Sequence, residues 1–206
     1  GDNFSWDLSV NIGTLKKVVN EIFPGVESYD ISTYGNVSLQ ARVGEEYGLF
    51  YGDGFARHTD GSIIFTGTDS DSFALENNKN LGSLLPDFTG GLSTTFKYKN
   101  VDLYLGLDGQ KGGLYYSRTE RYFAGSGLAS YTAGENDLGN PLRDEVDSGG
   151  GVHIVGVLQT GTDGDGNPIS DGTIVDKYVD AKDYFASGNL GNVYENNVHD
   201  ADYLKL

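Results

Sequence analysis

The stretch PDFTGGLSTTFKYKNVDLYLGLDGQKGG, residues 86–113, most constrains the fold. In an extended chain Leu92, Thr94, Phe96 and Tyr98 share one face. After Lys99-Asn100, Val101, Leu103, Leu105 and Leu107 share one face of the next segment. Asp102, Tyr104, Gly106, Asp108 and Gln110 fall opposite, toward water or a polar lumen. Period-two alternation on both sides of a two-residue polar turn predicts a β-hairpin. Each strand is close to the ~9–11 residues with which a tilted strand crosses a bilayer. The run Phe4-Ser5-Trp6-Asp7-Leu8-Ser9-Val10-Asn11-Ile12 repeats the pattern and predicts a strand over 4–14 with one apolar face.

Elsewhere the alternation is shorter. Residues 14–22 (TLKKVVNEI) read as a short helix or a continuation of the first strand, ended by Pro24-Gly25. Val37, Leu39 and Ala41 open a strand over 36–51 that runs into GEEYGLFYGDGF, where Gly52 and Gly54 suggest bends or bulges. Residues 56–87 read as a long polar connection with a small hairpin at Asp60-Gly61. Residues 112–200 are rich in Gly, Asp, Asn and Tyr, with one strand at 152–158 and one helical turn at 180–186 whose N-cap is Asp180. So long a weakly structured stretch counts against a compact domain, but outer loops of a barrel are the exception. At 201–206 (ADYLKL) a further strand starts. Both ends read as cut, so the chain is expected to be a piece of a longer protein, with Gly1 a remnant of tag cleavage.

Charge and composition narrow the function classes. A net charge of -16, from 30 acidic and 14 basic residues, argues against a nucleic-acid or anionic-membrane surface, because both require Lys/Arg neutralisation. With no cysteine there is no disulfide, thiolate nucleophile or Cys-based zinc site. No apolar run approaches the ~20 residues of a spanning helix. A membrane β-barrel needs none, since its strands alternate and keep mean hydropathy low. Thirty-one glycines and 14 tyrosines suit that class and a secreted β-sandwich alike.

Three groups of residues invite a chemical reading. Asp163, Asp165 and Asn167 stand at i, i+2 and i+4, like the first ligands of a calcium loop. Pro168 stands where the loop glycine belongs and Ile174 where the bidentate glutamate belongs; the main reading is a loop tip, with calcium as its rival. Tyr115, Tyr116, Arg118, Arg121, Tyr122, Phe123 and Tyr131 cluster at the start of the second long connection. Aromatic faces and guanidinium forks suit oligosaccharide or peptide binding; loop packing or an aromatic girdle is the competing reading. The pairs Asp69/Asp71 and Asp144/Glu145 are what so acidic a chain produces by default, and do not imply a glycosidase. His58, His153 and His199 are dispersed, and no nucleophile elbow, HExxH or phosphate loop occurs, so no enzyme is expected.

The order of these pieces resembles the C-terminal barrel region of the SusC/RagA-like TonB-dependent outer-membrane receptors. FSWDLSVNIGTLKKVV is similar to that family's Phe-x-Trp strand and its Asn/Lys-rich turn. RVGEEYGLFYGDGFAR is similar to its Val-Gly-Glu-x-x-Gly-x-x-Tyr-Gly segment. LGSLLPDFTGGLSTTFKYKNVDLYLGLDGQKGG resembles its Gly-x-x-x-Pro-x-(Phe/Trp)-x-Gly-Gly element, aromatic-Lys turn and Gly-Gly close. LRDE with GGGVHIVGVLQTGTDGDGN, then VDAKDYFA and VHDADYLKL, resemble the later loop, short helix and strand start. The family's plug domain, TonB box and most of its barrel strands have no counterpart here, and about five or six strands stand against ~22 for a complete barrel.

The resemblance implies an all-β, antiparallel meander, part of a transmembrane up-and-down β-barrel with long extracellular loops and one or two short helical turns. Wall strands are expected near 4–14, 36–51, 88–99, 101–110 and 201–206, with extracellular loops over 56–87 and 112–200. Short turns of such barrels are periplasmic, which places Lys99-Asn100 inside. Implied partners are a SusD-like surface lipoprotein, TonB through a missing N-terminal part, outer-membrane lipid and an oligosaccharide or peptide substrate. The implied location is the outer membrane of a Gram-negative bacterium. The alternative is a secreted, soluble β-sandwich that binds carbohydrate or acts in adhesion. The two differ in where Leu103, Leu105 and Leu107 point: into a core in a sandwich, outward in a barrel.

Overall fold

A computed structural model describes residues 3–67, 69 and 71–206; Gly1 and Asp2, and Thr68 and Ser70 of the polar connection, lie outside them. In chain order the strands begin with β1 (Phe4–Gly13), β2 (Ser28–Tyr34), β3 (Val37–Arg42), β4 (Leu49–Phe55), β5 (Ile64–Thr66), β6 (Ser72–Phe73) and β7 (Leu75–Ser83). There follow β8 (Pro86–Tyr98), β9 (Val101–Gly112), β10 (Leu114–Tyr116) and helix α1 (Arg118–Gly125). Next come β11 (Val152–Leu158), β12 (Gly161–Thr162), β13 (Pro168–Ile169), β14 (Ile174–Val179), helix α2 (Ala181–Tyr184), β15 (Val198–Asp200) and β16 (Tyr203–Lys205). The protein is mostly β, and its sheets are antiparallel apart from one short parallel pairing. Among the described residues no helix is long and apolar enough to cross a membrane.

The long strands form one open sheet in the order β1-β8-β9-β16. The predicted hairpin is its centre, pairing Phe96 with Leu103 and Tyr98 with Val101 across the Lys99-Asn100 turn. Lys99 adopts a positive φ of 54° there, a conformation typical of tight hairpin turns. β1 pairs with β8 so that Trp6 faces Phe96, Leu8 faces Thr94 and Val10 faces Leu92. Because facing partners in a ladder project to the same side, one face of the sheet carries Phe4, Trp6, Leu8, Val10 and Ile12 beside Leu92, Phe96, Leu103, Leu105 and Leu107. The other carries Ser5, Asp7, Ser9, Asn11, Asp102, Tyr104 and Asp108.

That register places residues 14–85 and 113–202 at the same end of the sheet, opposite the Lys99-Asn100 turn. There the two insertions fold together into a cap. Ile64 and Phe65 of β5 pair in parallel with Val157 and Leu158 of β11, joining one insertion to the other in the sheet β14-β11-β5-β6. Buried clusters draw from both: Phe65 and Phe73 pack with Ile154, Val175, Val179, Leu190 and Val193, and Val37 and Phe50 with Tyr194. Polar clasps cross the same seam. Asn189 Oδ1 accepts from the Phe73 amide at 3.0 Å, and Glu195 Oε2 accepts from the Phe55 amide at 2.8 Å and from Lys79 Nζ at 3.1 Å.

Several expectations are corrected. Residues 36–51 are two strands, β3 and β4, in a separate sheet of order β2-β3-β4-β7. The connection 56–87 contains the nine-residue β7, and 112–200 is organised by six further strands. Sequence periodicity could not find β7 (LENNKNLGS), because it is held by ladder bonds to β4, with a bulge where Asn78 has a φ of 53°. Residues 14–22 are neither helix nor strand. They lie extended along the 44–47 turn, with the Val19 amide donating to Glu45 O at 2.9 Å and the Tyr47 amide to Lys17 O at 2.9 Å. Asp180 precedes α2 as expected, but its carboxylate accepts from the Val146 amide at 2.8 Å instead of capping its own helix.

Candidate functional site

The cap joins the sheet through Gly112 and Gly113, whose φ values of 77° and 79° turn the chain out of β9 and into β10. A side chain at Gly113 would meet Leu84 O at 2.9 Å, so the exit is closely packed as well as left-handed. β10 then pairs with β15, placing Tyr115 beside His199 and Tyr116 beside Val198. Ser117 ends the strand and caps α1, its hydroxyl accepting from the Glu120 amide at 3.2 Å. The helix carries Arg118, Arg121, Tyr122 and Phe123.

Four of the seven residues singled out in the sequence come together with two that were not. Tyr116 stacks on Tyr194, with centroids 6.0 Å apart and planes inclined by 24°, and lies 6.0 Å from Tyr34. Arg121 sits 5.1 Å over the Tyr194 ring and donates from Nε to Gly191 O at 2.7 Å. Arg118 sits 4.4 Å over Tyr34 and 5.5 Å over Tyr122, whose hydroxyls are 2.9 Å apart. Tyr34 and Tyr194 come from a distant strand and a distant turn, so no local pattern marks them. The remaining three are apart: Tyr115 packs on His199, Phe123 is exposed on α1, and Tyr131 lies 6.0 Å from Phe185.

Electrostatics divides the cluster into an inner and an outer part. Burial pushes the Tyr116 phenol up to about 12, against the pull of Arg121. The hydrogen bond with Tyr122 raises Tyr34, and that same bond, with Arg118, lowers Tyr122. Tyr116, Tyr194 and Arg121 are therefore packing groups that hold α1 on the cap. Arg118, Tyr122 and Phe123 face outward, where a guanidinium fork and two aromatic faces meet a hydroxyl-rich or peptidic surface with their donors and π-faces.

The Asp163 loop is a self-contained turn. Asp163 Oδ1 accepts from the amides of Asp165 and Asn167 at 2.9 and 2.8 Å, and Oδ2 accepts from Asn167 Nδ2 at 3.1 Å. These bonds, that from the Asn167 side chain first, lower the Asp163 carboxyl. Among the described residues no three His, Asp or Glu side chains converge on a common point as a metal site requires.

The sheet face below the cap is the second feature. Trp6 is 57% exposed, Leu103 50% and Leu105 40%, although all are large and apolar. Polar groups within that face are internally matched: Trp6 Nε1 donates to Thr94 Oγ1 at 2.6 Å, and Thr94 Oγ1 donates to Asp7 O at 3.0 Å. The apolar row is thus on the outside of the sheet and unpartnered among the described residues. No protein-family model matches the chain, and no curated protein matches it.

Proposed function

We propose that this chain forms part of the barrel wall and outer cap of a SusC/RagA-like TonB-dependent receptor in the outer membrane of a Gram-negative bacterium. The observation that carries the reading is the two-sided sheet: one face continuous in Trp, Phe, Leu, Val and Ile and open to the surroundings, the other lined by Ser, Asp, Asn and Tyr. A soluble sandwich would bury the first face. In a barrel it lies against acyl chains while the second lines an aqueous lumen. The ten residues of β1 extend about 33 Å, which at a ~40° tilt gives about 25 Å of height, the thickness of an outer-membrane apolar band. Four strands do not close, so the remaining wall comes from elsewhere in the assembled receptor.

Both insertions leave the sheet at one end, the arrangement of a barrel with short inner turns and a large outer structure. In this reading the cap faces outside, where Arg118, Tyr122 and Phe123 contact an oligosaccharide or peptide, or a SusD-like lipoprotein that delivers it. TonB supplies the energy through a plug domain outside this chain. The chain performs no catalysis in this scheme.

Cell fractionation and a matched pair of substitutions test the reading. The protein should sediment with outer membranes and require detergent for release. Leu105→Lys, at a lipid-facing position, should destabilise the reconstituted barrel by about 2–4 kcal/mol, while Tyr104→Lys, on the lumen face, should cost far less. Release into the soluble fraction without detergent, or equal tolerance of both lysines, would sink the proposal.

A further inference from the structure

A cavity of about 390 Å³ opens in the cap beside the helix that bears the tyrosine-arginine cluster. Tyr131, Tyr184 and Phe185 form its walls, Glu120 and Asn196 supply its polar groups, and aliphatic side chains complete the floor. Neither Lys nor Arg lines it. The rings do not make a flat platform. Tyr184 and Phe185 meet at 84° with centroids 4.9 Å apart, and Tyr131 and Phe185 at 50° with centroids 6.0 Å apart. Walls so inclined surround a compact group from several sides, whereas a sugar ring stacks on one extended face.

The negative faces of aromatic rings attract cations, and a carboxylate beside them supplies the countercharge. Glu120 is placed for this by α1, whose capping by Ser117 fixes the first turn. One of its oxygens, Oε2, lies 2.7 Å from His199 Nε2. That leaves Oε1 for a ligand. Burial, and then the charge of Glu120, raise the Tyr131 phenol, which places the carboxylate's field within reach of that ring.

We propose that this cavity binds an organic ammonium group, held by the Tyr131, Tyr184 and Phe185 rings and neutralised by Glu120. Ammonium groups occur on amino sugars and on peptides, and the recognition chemistry is the same for both. The site belongs to the cap alone and stands independently of the membrane reading.

The test is titration of the intact chain with tetramethylammonium chloride at constant ionic strength, read by NMR of 3-fluorotyrosine-labelled protein. Saturable shifts are expected, with tert-butanol, the neutral isostere, at least about fivefold weaker. Glu120→Gln should weaken tetramethylammonium by a similar factor. Tyr131→Phe should retain binding and Tyr131→Leu should lose it, a pair that decides the matter if Glu120→Gln fails to fold. Glucosamine and the dipeptide Lys-Gly, each beside its fully N-acetylated counterpart, then separate the two ligand sources. Equal binding of cation and isostere, absence of saturation, or indifference to both Glu120→Gln and Tyr131→Leu would overturn the assignment.

Discussion

Trp6 and Phe96 lie face to face on adjacent strands, with centroids 5.8 Å apart and planes inclined by only 3°. Trp6 is the single tryptophan of the chain, so the pair carries its own reporter. In lipid vesicles Trp6 emission should be blue-shifted, quenched by brominated acyl chains and little affected by iodide. Thr94→Val removes the acceptor of the indole N–H and should cost about 1–3 kcal/mol through the unpaired donor. Red-shifted, iodide-quenched emission in vesicles would place this face in water.

Gly156 is where the two halves of the cap touch. A Cβ there would lie 2.4 Å from Ile63 O and 2.7 Å from the Phe65 ring, against backbone that cannot move without parting β5 from β11. Gly156→Ala should therefore destabilise the cap by about 1–3 kcal/mol, as overpacking does. Gly164→Ala, with open space around it, should be close to neutral. Urea unfolding followed by hydrogen exchange of β11 amides compares the two.

His153 joins three segments and should make the cap pH-sensitive. Its Nδ1 is 2.7 Å from Asp137 Oδ2, its Nε2 is 2.8 Å from Asp176 Oδ1, and its ring stacks on Tyr178, whose hydroxyl donates to Asp137 Oδ1 at 2.6 Å. Bonds to Asp176 and then Asp137 raise the imidazole above its ordinary 6.5. A raised folded value means the contribution is complete below 6.5 and fades as pH climbs through the folded value. Asp137, lowered from 3.8 by Tyr178 and then His153, acts in the opposite sense and loses its contribution as pH falls through its folded value. Urea midpoints should be higher at pH 5.5 than at pH 8.5, and His153→Gln should flatten the difference.

The two arginines of α1 should separate in their effects. Arg121→Ala removes the bond to Gly191 O and the contact over Tyr194, and should cost about 1–3 kcal/mol of cap stability. Arg118→Ala should change stability by less than ~1 kcal/mol while weakening capture of the oligosaccharide or peptide. Uptake by cells carrying each variant, beside urea unfolding, distinguishes the outcomes. Stability loss from Arg118→Ala with uptake intact would assign both residues to packing.

The strands with one apolar and one polar face were legible because period-two patterning survives wherever a face meets a single environment. β1, β8, β9, β11 and β16 fall where alternation or an apolar run places them. What was not legible depends on long-range pairing. β7 is polar throughout its middle and exists through its ladder to β4, and β5 is three residues long and held by Val157 and Leu158, far away in sequence. One missed element did leave a mark. Ser117-Arg118-Thr119-Glu120 has the Ser-x-x-Glu spacing of a capping box, which announces α1 just after a strand. Within the candidate site, the aromatic and arginine residues on α1 could be read locally. Tyr34 and Tyr194 could not, because only tertiary packing brings them to Arg118 and Arg121.

The parallel seam between β5 and β11 also bears on how such a surface diversifies. Phe65 and Phe73 come from one insertion and Ile154 and Val193 from the other, so grafting either segment alone from a divergent sequence leaves half an interior without its complement. The two segments are heritable as a unit even though the hairpin separates them in the gene. Compensating changes should accumulate in pairs across that gap, while the outward side chains of α1 change with the ligand and not with the seam.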